Sequence, residues 1–582
     1  VENWLTGSCP QLSPGQAELE DKQMSGWLRG SAREGAAYQR WLSRPFSATS
    51  RQENLDRLAQ EEFDLLVIGG GITGVAIARD AAMRGLRTAL IEKDDFGSGT
   101  SSRSSRLIHG GIRYLEYYQF KLVFEACCER RIMRQIAPRL VRPLPFLYPL
   151  YRGQKPAPWK LRLGLTMYDA LGLFRNIQRH RWLDPSEVEM RERLISREGL
   201  LGAARFYDAQ VDDARLTLTT AKSAHLYGAL MANHTRVVDL MTANSHTSSA
   251  CLVDELSGRE IEVRAKVIVN ATGVWGDQVR AMDDGCREPM LRPTKGVHLV
   301  IRRERVCSDH AVVFDSPRDG RHVFLIPWGD FALIGTTDTD YDGDLSKPAA
   351  DSEDVAYLLE TARHAFPTAQ IGQGDVISTF AGLRPLIAAP GGTYAVSRGH
   401  KIVDSRSGLI TVAGGKLTTH RLMAEQVVDR VQEKLATTFG CEAQRGCQTQ
   451  EALQGAQTDH SASDSEGSAV EEHLGDTYGR DAARIMNYAE ENPVLGERIT
   501  PGRPYLMAEV PYAVRHEMAL TLSDVLVRRT HVIHETRGGG LSRARAVAEV
   551  MAPLLGWDKS EIDCQVSDYA SQVALAQRWR HE

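Results

Sequence analysis

Residues 64–92 read DLLVIGGGITGVAIARDAAMRGLRTALIE, and this stretch decides the fold. A short apolar run breaks at glycine, an alanine-rich segment over Ile72–Met83 has helical character, Gly85 ends it, and TALIE supplies a second strand. Gly69, Gly71 and Gly74 fit G-x-G-x-x-G between the first strand and the helix. Such glycines allow a tight turn, close approach of backbone to a pyrophosphate and close helix–strand packing, with the phosphates facing the helix N-terminus. Glu92 closes the second strand, 18 residues after Gly74, where a carboxylate can accept ribose hydroxyls. Together these features make a βαβ unit, and therefore a parallel, doubly wound α/β sheet with helices on both faces. The unit binds a dinucleotide; whether FAD or NAD must be decided elsewhere in the chain.

Outward from this unit, residues 1–62 are polar, without a strand signal, and read as an N-terminal extension with one or two helices. Downstream, VIVNATG ending at Gly273, FALIG ending at Gly335 and LITVAGG ending at Gly415 are further strands that stop in glycine. Between Gly440 and Glu472 the composition shifts to Gln, Ser, Asp and Gly, as in a linker, and helical periodicity follows. The expected division is 1–62, an oxidoreductase region over 63–445, and a linker with a helical domain over 446–582.

Composition narrows the class. At 42% hydrophobic and 25% charged the chain is of the soluble globular type, and a net charge of −5 over 582 residues gives no reason to expect nucleic acid. Nine scattered cysteines without a C-x-x-C pair read as reduced thiols, and no metal set is apparent. No apolar run is long enough to span a bilayer and no signal-peptide pattern opens the chain, so the expected place is the cytoplasm or a membrane face.

The segments GTSSRSSRLIHGGIRYLEYYQFKLVFEACCER from Gly99, VDDARLTL from Val211, NATGVWGDQV from Asn270, TKGVHLVI from Thr294, FLIPWGDFALIGTTDTDY from Phe324, AGLRPL from Ala381 and AGGKLTTHRLMAE from Ala413 follow one another in order. In that order they resemble the FAD-dependent, aerobic-type glycerol-3-phosphate dehydrogenases of the D-amino-acid-oxidase-like flavoprotein superfamily. The resemblance covers about residues 63–430 closely and the C-terminal region more loosely. It implies a Rossmann-like FAD-binding domain interleaved with an α+β substrate domain, followed by an all-helical domain. It also implies FAD along Thr100, Ser101, Ser102 and Ser105, at Ala271, Thr272, Gly273 and Trp275, and at Gly414, Gly415, Lys416, Leu417 and Thr418.

Removing a hydride from a secondary alcohol needs an acceptor, a group for the hydroxyl proton, cations for the dianionic phosphate and exclusion of water. Arginine is the expected phosphate ligand, but 70 Lys and Arg residues cannot be separated by type. The resemblance selects Arg384 and Arg398 for the phosphate and places Arg113 and Tyr114 in the same pocket. His298 and His109 are the candidate bases, with His298 placed first, and Lys416 is positioned to stabilise the alkoxide. Asp338 reads as a supporting residue, because an anion beside a phosphate costs affinity.

The resemblance makes the reaction oxidation of sn-glycerol 3-phosphate to dihydroxyacetone phosphate, with quinone as electron acceptor; a dioxygen-using glycerol-3-phosphate oxidase is the alternative. An amine or amino-acid oxidase is disfavoured by the separate arginines, and a non-catalytic flavin scaffold by the assembled base and phosphate ligands. A homodimer and peripheral contact with the membrane complete the expected partners. Between Phe146 and Trp182 the chain interleaves Arg152, Lys155, Lys160, Arg162, Arg175, Arg179 and Arg181 with Tyr148, Tyr151, Trp159, Tyr168 and Phe174. That pattern suits anionic head groups, and it equally suits a core helix with a solvated basic side.

Overall fold

The computed structural model describes residues 45–154, 156–243, 246–285, 288–388, 399–441, 446–453, 455–456 and 468–582. In the strand Glu62–Ile68, Leu65 and Val67 enter one core while Leu66 and Ile68 enter another. A strand covered on both faces reads as a continuous apolar run, which is why DLLVI lacks alternation. It lies inside an eight-stranded sheet, paired in parallel with Thr88–Ile91 on one side and Glu260–Asn270 on the other. Ile410–Gly414 and Leu230–Ala232 continue the parallel order, and His400–Asp404 adds an antiparallel edge.

Helices Ile72–Met83, Asp213–Leu226 and His420–Phe439 cover one face. The second face departs from the expectation of helices alone: helix Ala48–Gln60 shares it with the hairpin Thr235–Ala243 and His246–Asp254. The cause is the length of Glu260–Asn270. Its first residues pair antiparallel with the hairpin and its last residues pair with the parallel core.

A ten-stranded, largely antiparallel sheet is interleaved with the first along the chain. Leu291–Arg302 runs between Ser378–Ile387 and Phe331–Gly335, so FALIG belongs to this second sheet. The C-terminal helices, Ala469–Tyr478 through Lys559–Gln577, pack around two cores, one containing Leu474, Tyr478 and Ile485 and the other Val510, Leu526, Val547 and Tyr569. Their seam with the first sheet's domain carries paired buried charges: Asp95 receives Arg528 and Arg529, and Glu517 receives Arg215. Removing one partner of such a pair leaves an uncompensated buried charge.

Two polar stretches are better packed than their composition suggested. Helix Ala48–Gln60 buries Leu55 and Leu58, so the end of the supposed extension is a covering layer of the sheet. Its apolar stripe is narrow enough to be hidden by the polar average of the first 62 residues. Leu453 and Ala456, inside the expected linker, are buried in the main core, and Arg79 donates to the carbonyls of Thr449 (3.1 Å) and Glu451 (2.8 Å). Residues 1–44, 442–445 and 457–467 lie outside the described residues. No described helix is long and apolar enough to cross a membrane.

Candidate active site

The parallel register brings four strand ends to one edge of the first sheet. Ile68 pairs with Ile91 and with Asn270, so Gly69, Glu92 and Ala271 emerge side by side, close to Gly414. This is the carboxyl end of the strands, where open α/β sheets bind ligands. Gly69 has φ +110, and a side chain there would put Cβ 2.7 Å from the Ala271 carbonyl oxygen. At Gly74 a Cβ would lie 1.9 Å from the Gly69 carbonyl oxygen, so only glycine permits this turn and helix to touch.

The Glu92 carboxylate accepts hydrogen bonds from the backbone N–H groups of Gly70 (2.6 Å) and Asp94 (2.9 Å). Burial, with the nearby Asp94 charge adding, pushes its carboxyl up to about 6. At the helix N-terminus, Ser101 Oγ accepts the Ile72 N–H at 2.9 Å. Around these groups lies a cleft of about 280 Å³ lined by Gly69, Gly71, Glu92, Thr100, Ser101, Ala271, Thr272, Gly273 and Trp275. Lys93 sits 4.2 Å from the centroid of Trp275 at its wall.

Thr100, Pro385, Gly415, Lys416 and Leu417 line this cleft and also a second cavity of about 310 Å³. The two spaces are therefore neighbours across one loop. An extended dinucleotide such as FAD fits this arrangement: helix amides and glycines for the pyrophosphate, Glu92 for a ribose, and a joined cavity for the reacting ring.

The second cavity is built on the second sheet. Thr294 lies opposite Arg384 and His298 opposite both Gly335 and Phe380. Arg384 donates from Nη1 to Asp338 Oδ1 (3.0 Å) and from Nη2 to Thr336 Oγ1 and the Thr337 carbonyl (3.0 and 3.2 Å). Gly296 leaves the room for it, because a Cβ there would stand 2.4 Å from Arg384 Nη2. Lys416 Nζ rests 3.4 Å from the Tyr114 ring centroid, a cation–π contact that carries the lysine's charge over the cavity floor.

His298 is 2% exposed and stacks on Phe380 with centroids 4.8 Å apart. Its Nε2 lies 2.9 Å from Ser105 Oγ, and Nδ1 is buried with no hydrogen-bond partner among the described residues. Burial, followed by the cations of Arg384 and Arg106, pushes the imidazole down to about 3. His298 is therefore neutral at working pH. His109 lines the same cavity, its backbone N–H donating to Thr418 Oγ1 at 3.1 Å.

The structure thus brings together Arg113, Tyr114, Arg384, His109, His298, Lys416 and Thr418 around one cavity. Two serines fall elsewhere than expected. Ser105 is turned from the cleft to His298, and Ser102 is buried without lining either space. Arg398 lies outside the described residues. Asp338 is in place as the anionic partner of Arg384. The sequence reading missed Arg321, Thr336 and Asp208 in the cavity wall. Arg321 comes from the turn SPRDGR, which carries no motif; Thr336 stood in the quoted GTTD segment and could have been found there.

Comparison with known proteins agrees with this geometry. The family described as FAD dependent oxidoreductase matches residues 64–430, and the C-terminal domain of alpha-glycerophosphate oxidase matches residues 410–562. A "Glycerol-3-phosphate dehydrogenase 2" from Mycobacterium bovis is 38% identical over 92% of each chain. An "Aerobic glycerol-3-phosphate dehydrogenase" from Staphylococcus saprophyticus is 33% identical over 92% of this chain and 99% of its own. Among solved structures, a glycerol-3-phosphate dehydrogenase from Bacillus halodurans complexed with FAD is similar, with a TM-score of 0.75, 31% identity, and coverage of 91% of this chain and 98% of that one.

Proposed function

This chain belongs to the FAD-dependent oxidoreductases and, within them, to the glycerol-3-phosphate dehydrogenases, and from that premise we propose that its cation-lined cavity oxidises glycerol 3-phosphate to dihydroxyacetone phosphate. The observation that carries the reading is the joining of a dinucleotide cleft to a cavity holding Arg384, Lys416 and a buried neutral His298. FAD, when bound, would supply the acceptor for the hydride and the two electrons it carries. Gly69, Gly71, Gly74, Glu92, Thr100, Ser101, Ala271, Thr272, Gly273, Trp275 and the Gly415–Thr418 loop would hold it.

Arg384 takes the substrate phosphate, with Arg321 and Arg113 in the same wall. The carbon chain lies among Phe146, Phe206 and Phe324, which keep water from the reacting carbon. His298 takes the hydroxyl proton. Resting, it is a weak acceptor; a phosphate dianion on Arg384 offsets the first of the two cations that depress it, so its proton affinity rises when substrate is in place. Lys416 stabilises negative charge as the alcohol loses its proton.

Anaerobic stopped-flow mixing tests this reading. Glycerol 3-phosphate should bleach the flavin, while glycerol and glycine should not, and His298→Gln should slow bleaching by roughly 10² at saturating substrate. Bleaching by glycine in preference to glycerol 3-phosphate would move the protein to the amino-acid oxidases. A wild-type rate in His298→Gln would leave His109 as the base.

Quinone is the acceptor we assign, with the enzyme resting on the cytoplasmic face of a membrane as a homodimer. Support for the membrane contact comes from the surface around helix Pro158–Leu171. Leu161, Leu165 and Tyr168 form its buried stripe, and Tyr148 is buried too, so these leave the interfacial set read from the sequence. Trp159, Leu163, Leu173 and Phe174 are exposed, as are Tyr117, Tyr118 and Phe124 on neighbouring elements, with Lys160, Arg162, Arg175 and Arg179 among them. Lys155 lies outside the described residues. Rings beside cations suit a head-group layer, where each cation contributes about 1 kcal/mol.

The holoprotein should float with anionic liposomes at low salt and release at high salt, and replacing Trp159 and Phe174 by Glu should cut the bound fraction about tenfold. Equal flotation of the variant would remove this surface from the membrane contact, and oxygen reduction outpacing quinone reduction would favour the dioxygen-using oxidase. The match of the C-terminal region to an oxidase domain gives that second reading its footing.

A further inference from the structure

Ser105, the hydroxyl beside His298, belongs to a short segment with an unusual backbone. Arg106, the next residue, has φ 57, a left-handed conformation that a side chain of its size seldom adopts without support. The support is visible on every side. Asp213 Oδ2 accepts from the Ser104 N–H (2.9 Å) and hydroxyl (2.6 Å), and Ser104 Oγ accepts the Arg106 N–H at 3.0 Å. The Arg106 guanidinium lies over Trp328, its Cζ 3.9 Å from the ring centroid.

The last support comes from the C-terminal helical region, some 425 residues along the chain. His531 Nδ1 is 3.4 Å from Arg106 Nη2, while His531 Nε2 is 2.5 Å from Asp212 Oδ2. One tautomer satisfies these two contacts: Nε2–H donates to Asp212, and the Nδ1 lone pair accepts from the guanidinium, whose Nη1 then only lies beside Nε2 at 3.5 Å. His531 also meets Trp328 edge-on at 5.3 Å, closing a ring of three side chains, Arg106, Trp328 and His531.

We propose that His531 is a positioning residue for the oxidation: by bridging Asp212 to Arg106 it holds the turn that presents Ser105 to His298. The proposal rests on the reading of His298 as the base. Ser105 Oγ is the hydrogen-bond partner of His298 Nε2 and fixes the orientation of the ring in the cavity wall; if the hydroxyl turns away, the imidazole loses that anchor. The C-terminal helices thereby reach the chemistry without touching substrate.

The charged groups facing His298 are Arg384 from the adjoining strand and Arg106 from the serine segment; Phe380 and Gly335 present no charge, and His534 lies beyond Phe380. Loss of His531 leaves Asp212 to draw Arg106 toward itself. The cation then weakens at His298, whose proton affinity rises.

The experiment compares FAD-loaded wild type, His531→Ala, Asp212→Asn and His298→Gln. His531→Ala should reduce flavin at least tenfold more slowly at saturating glycerol 3-phosphate, with KM within about threefold and FAD content unchanged, and added imidazole should restore part of the rate. NMR titration of the FAD-loaded proteins should show the His298 imidazole taking its proton at higher pH in His531→Ala. Asp212→Asn keeps the helix cap on the Arg215 N–H and should slow reduction in the same direction. Wild-type rates in both variants, or a loss that tracks FAD content and melting temperature without imidazole rescue, would overturn the proposal. If His298→Gln alone retains the wild-type rate, it is the base assignment that fails, and the positioning role falls with it.

Discussion

A Gly71→Val protein should fold, melt with the wild-type apoprotein, and purify without colour. Gly71 has φ −70 and ψ 172, extended backbone that any residue adopts, and a Cβ there would meet only Ser101 Oγ at 3.3 Å. The chain itself therefore accepts a side chain at this position. The dinucleotide does not, because Gly71 stands at the N-terminus of helix Ile72–Met83, on the wall of the cleft where the pyrophosphate must reach the backbone amides. Valine places two methyl groups in that approach, and flavin loss should be essentially complete. The measurement is visible absorption per mole of folded protein, with far-ultraviolet dichroism recorded on the same sample. A folded, fully yellow Gly71→Val protein would remove the glycine from the cofactor site. Gly74 cannot be used for this purpose, since its missing Cβ is demanded by the fold itself.

Arg384→Ala should lower kcat/KM for glycerol 3-phosphate by 10² to 10³ with FAD content unchanged. Two effects combine. Truncation removes charge-assisted hydrogen bonds to phosphate, each worth roughly 1.5–3 kcal/mol in a buried setting. It also leaves the Asp338 carboxylate, 3.0 Å from the lost guanidinium, facing an incoming dianion. Adding Asp338→Asn to Arg384→Ala should therefore recover part of the loss, about tenfold. Steady-state kinetics on the single and double variants checks both parts: unchanged values for Arg384→Ala exclude the phosphate role, and absence of recovery excludes the repulsion. His298 provides an independent readout. Because the Arg384 cation helps hold its imidazole near 3, removing that cation should raise the pH at which His298 protonates, while burial keeps it below the ordinary histidine value.

What could be read from the chain beforehand was what is local in sequence. The glycine turn, its helix, the second strand and Glu92 lie within 31 residues, Glu62 to Glu92, and their spacing alone dictates their contacts. The same holds for the identity of the cavity loops, because each motif is short. Pairings across long separations were hidden. Ser105 meets His298 across 193 residues, and nothing in a serine-rich run distinguishes the hydroxyl that turns to an imidazole from the one that caps a helix, as Ser101 does. Arg321 was hidden for a related reason, since an arginine in a polar turn looks solvated until the turn is folded over the cavity. The hairpin on the second face of the sheet escaped because a long strand serves two partners in succession, and a strand pattern does not say where it changes partner. Leu453 and Ala456 escaped because two small apolar residues in a polar stretch do not alter its average.

Helix Ala48–Gln60 has a practical bearing on how this molecule can be trimmed. The recognisable family region opens at residue 64, and a recombinant fragment begun there would seem to retain the whole nucleotide fold. It would instead uncover the sheet face that Leu55 and Leu58 shield. It would strip the Asp254 carboxylate of Arg51 and free the Met231 carbonyl that Asn54 satisfies. Phe46, which packs on Phe96 and whose carbonyl accepts the Met518 N–H, would leave both the core and the C-terminal helices at once. The smallest autonomous folding unit therefore starts no later than Phe46, and a boundary drawn from family likeness alone cuts through a load that the catalytic scaffold depends on.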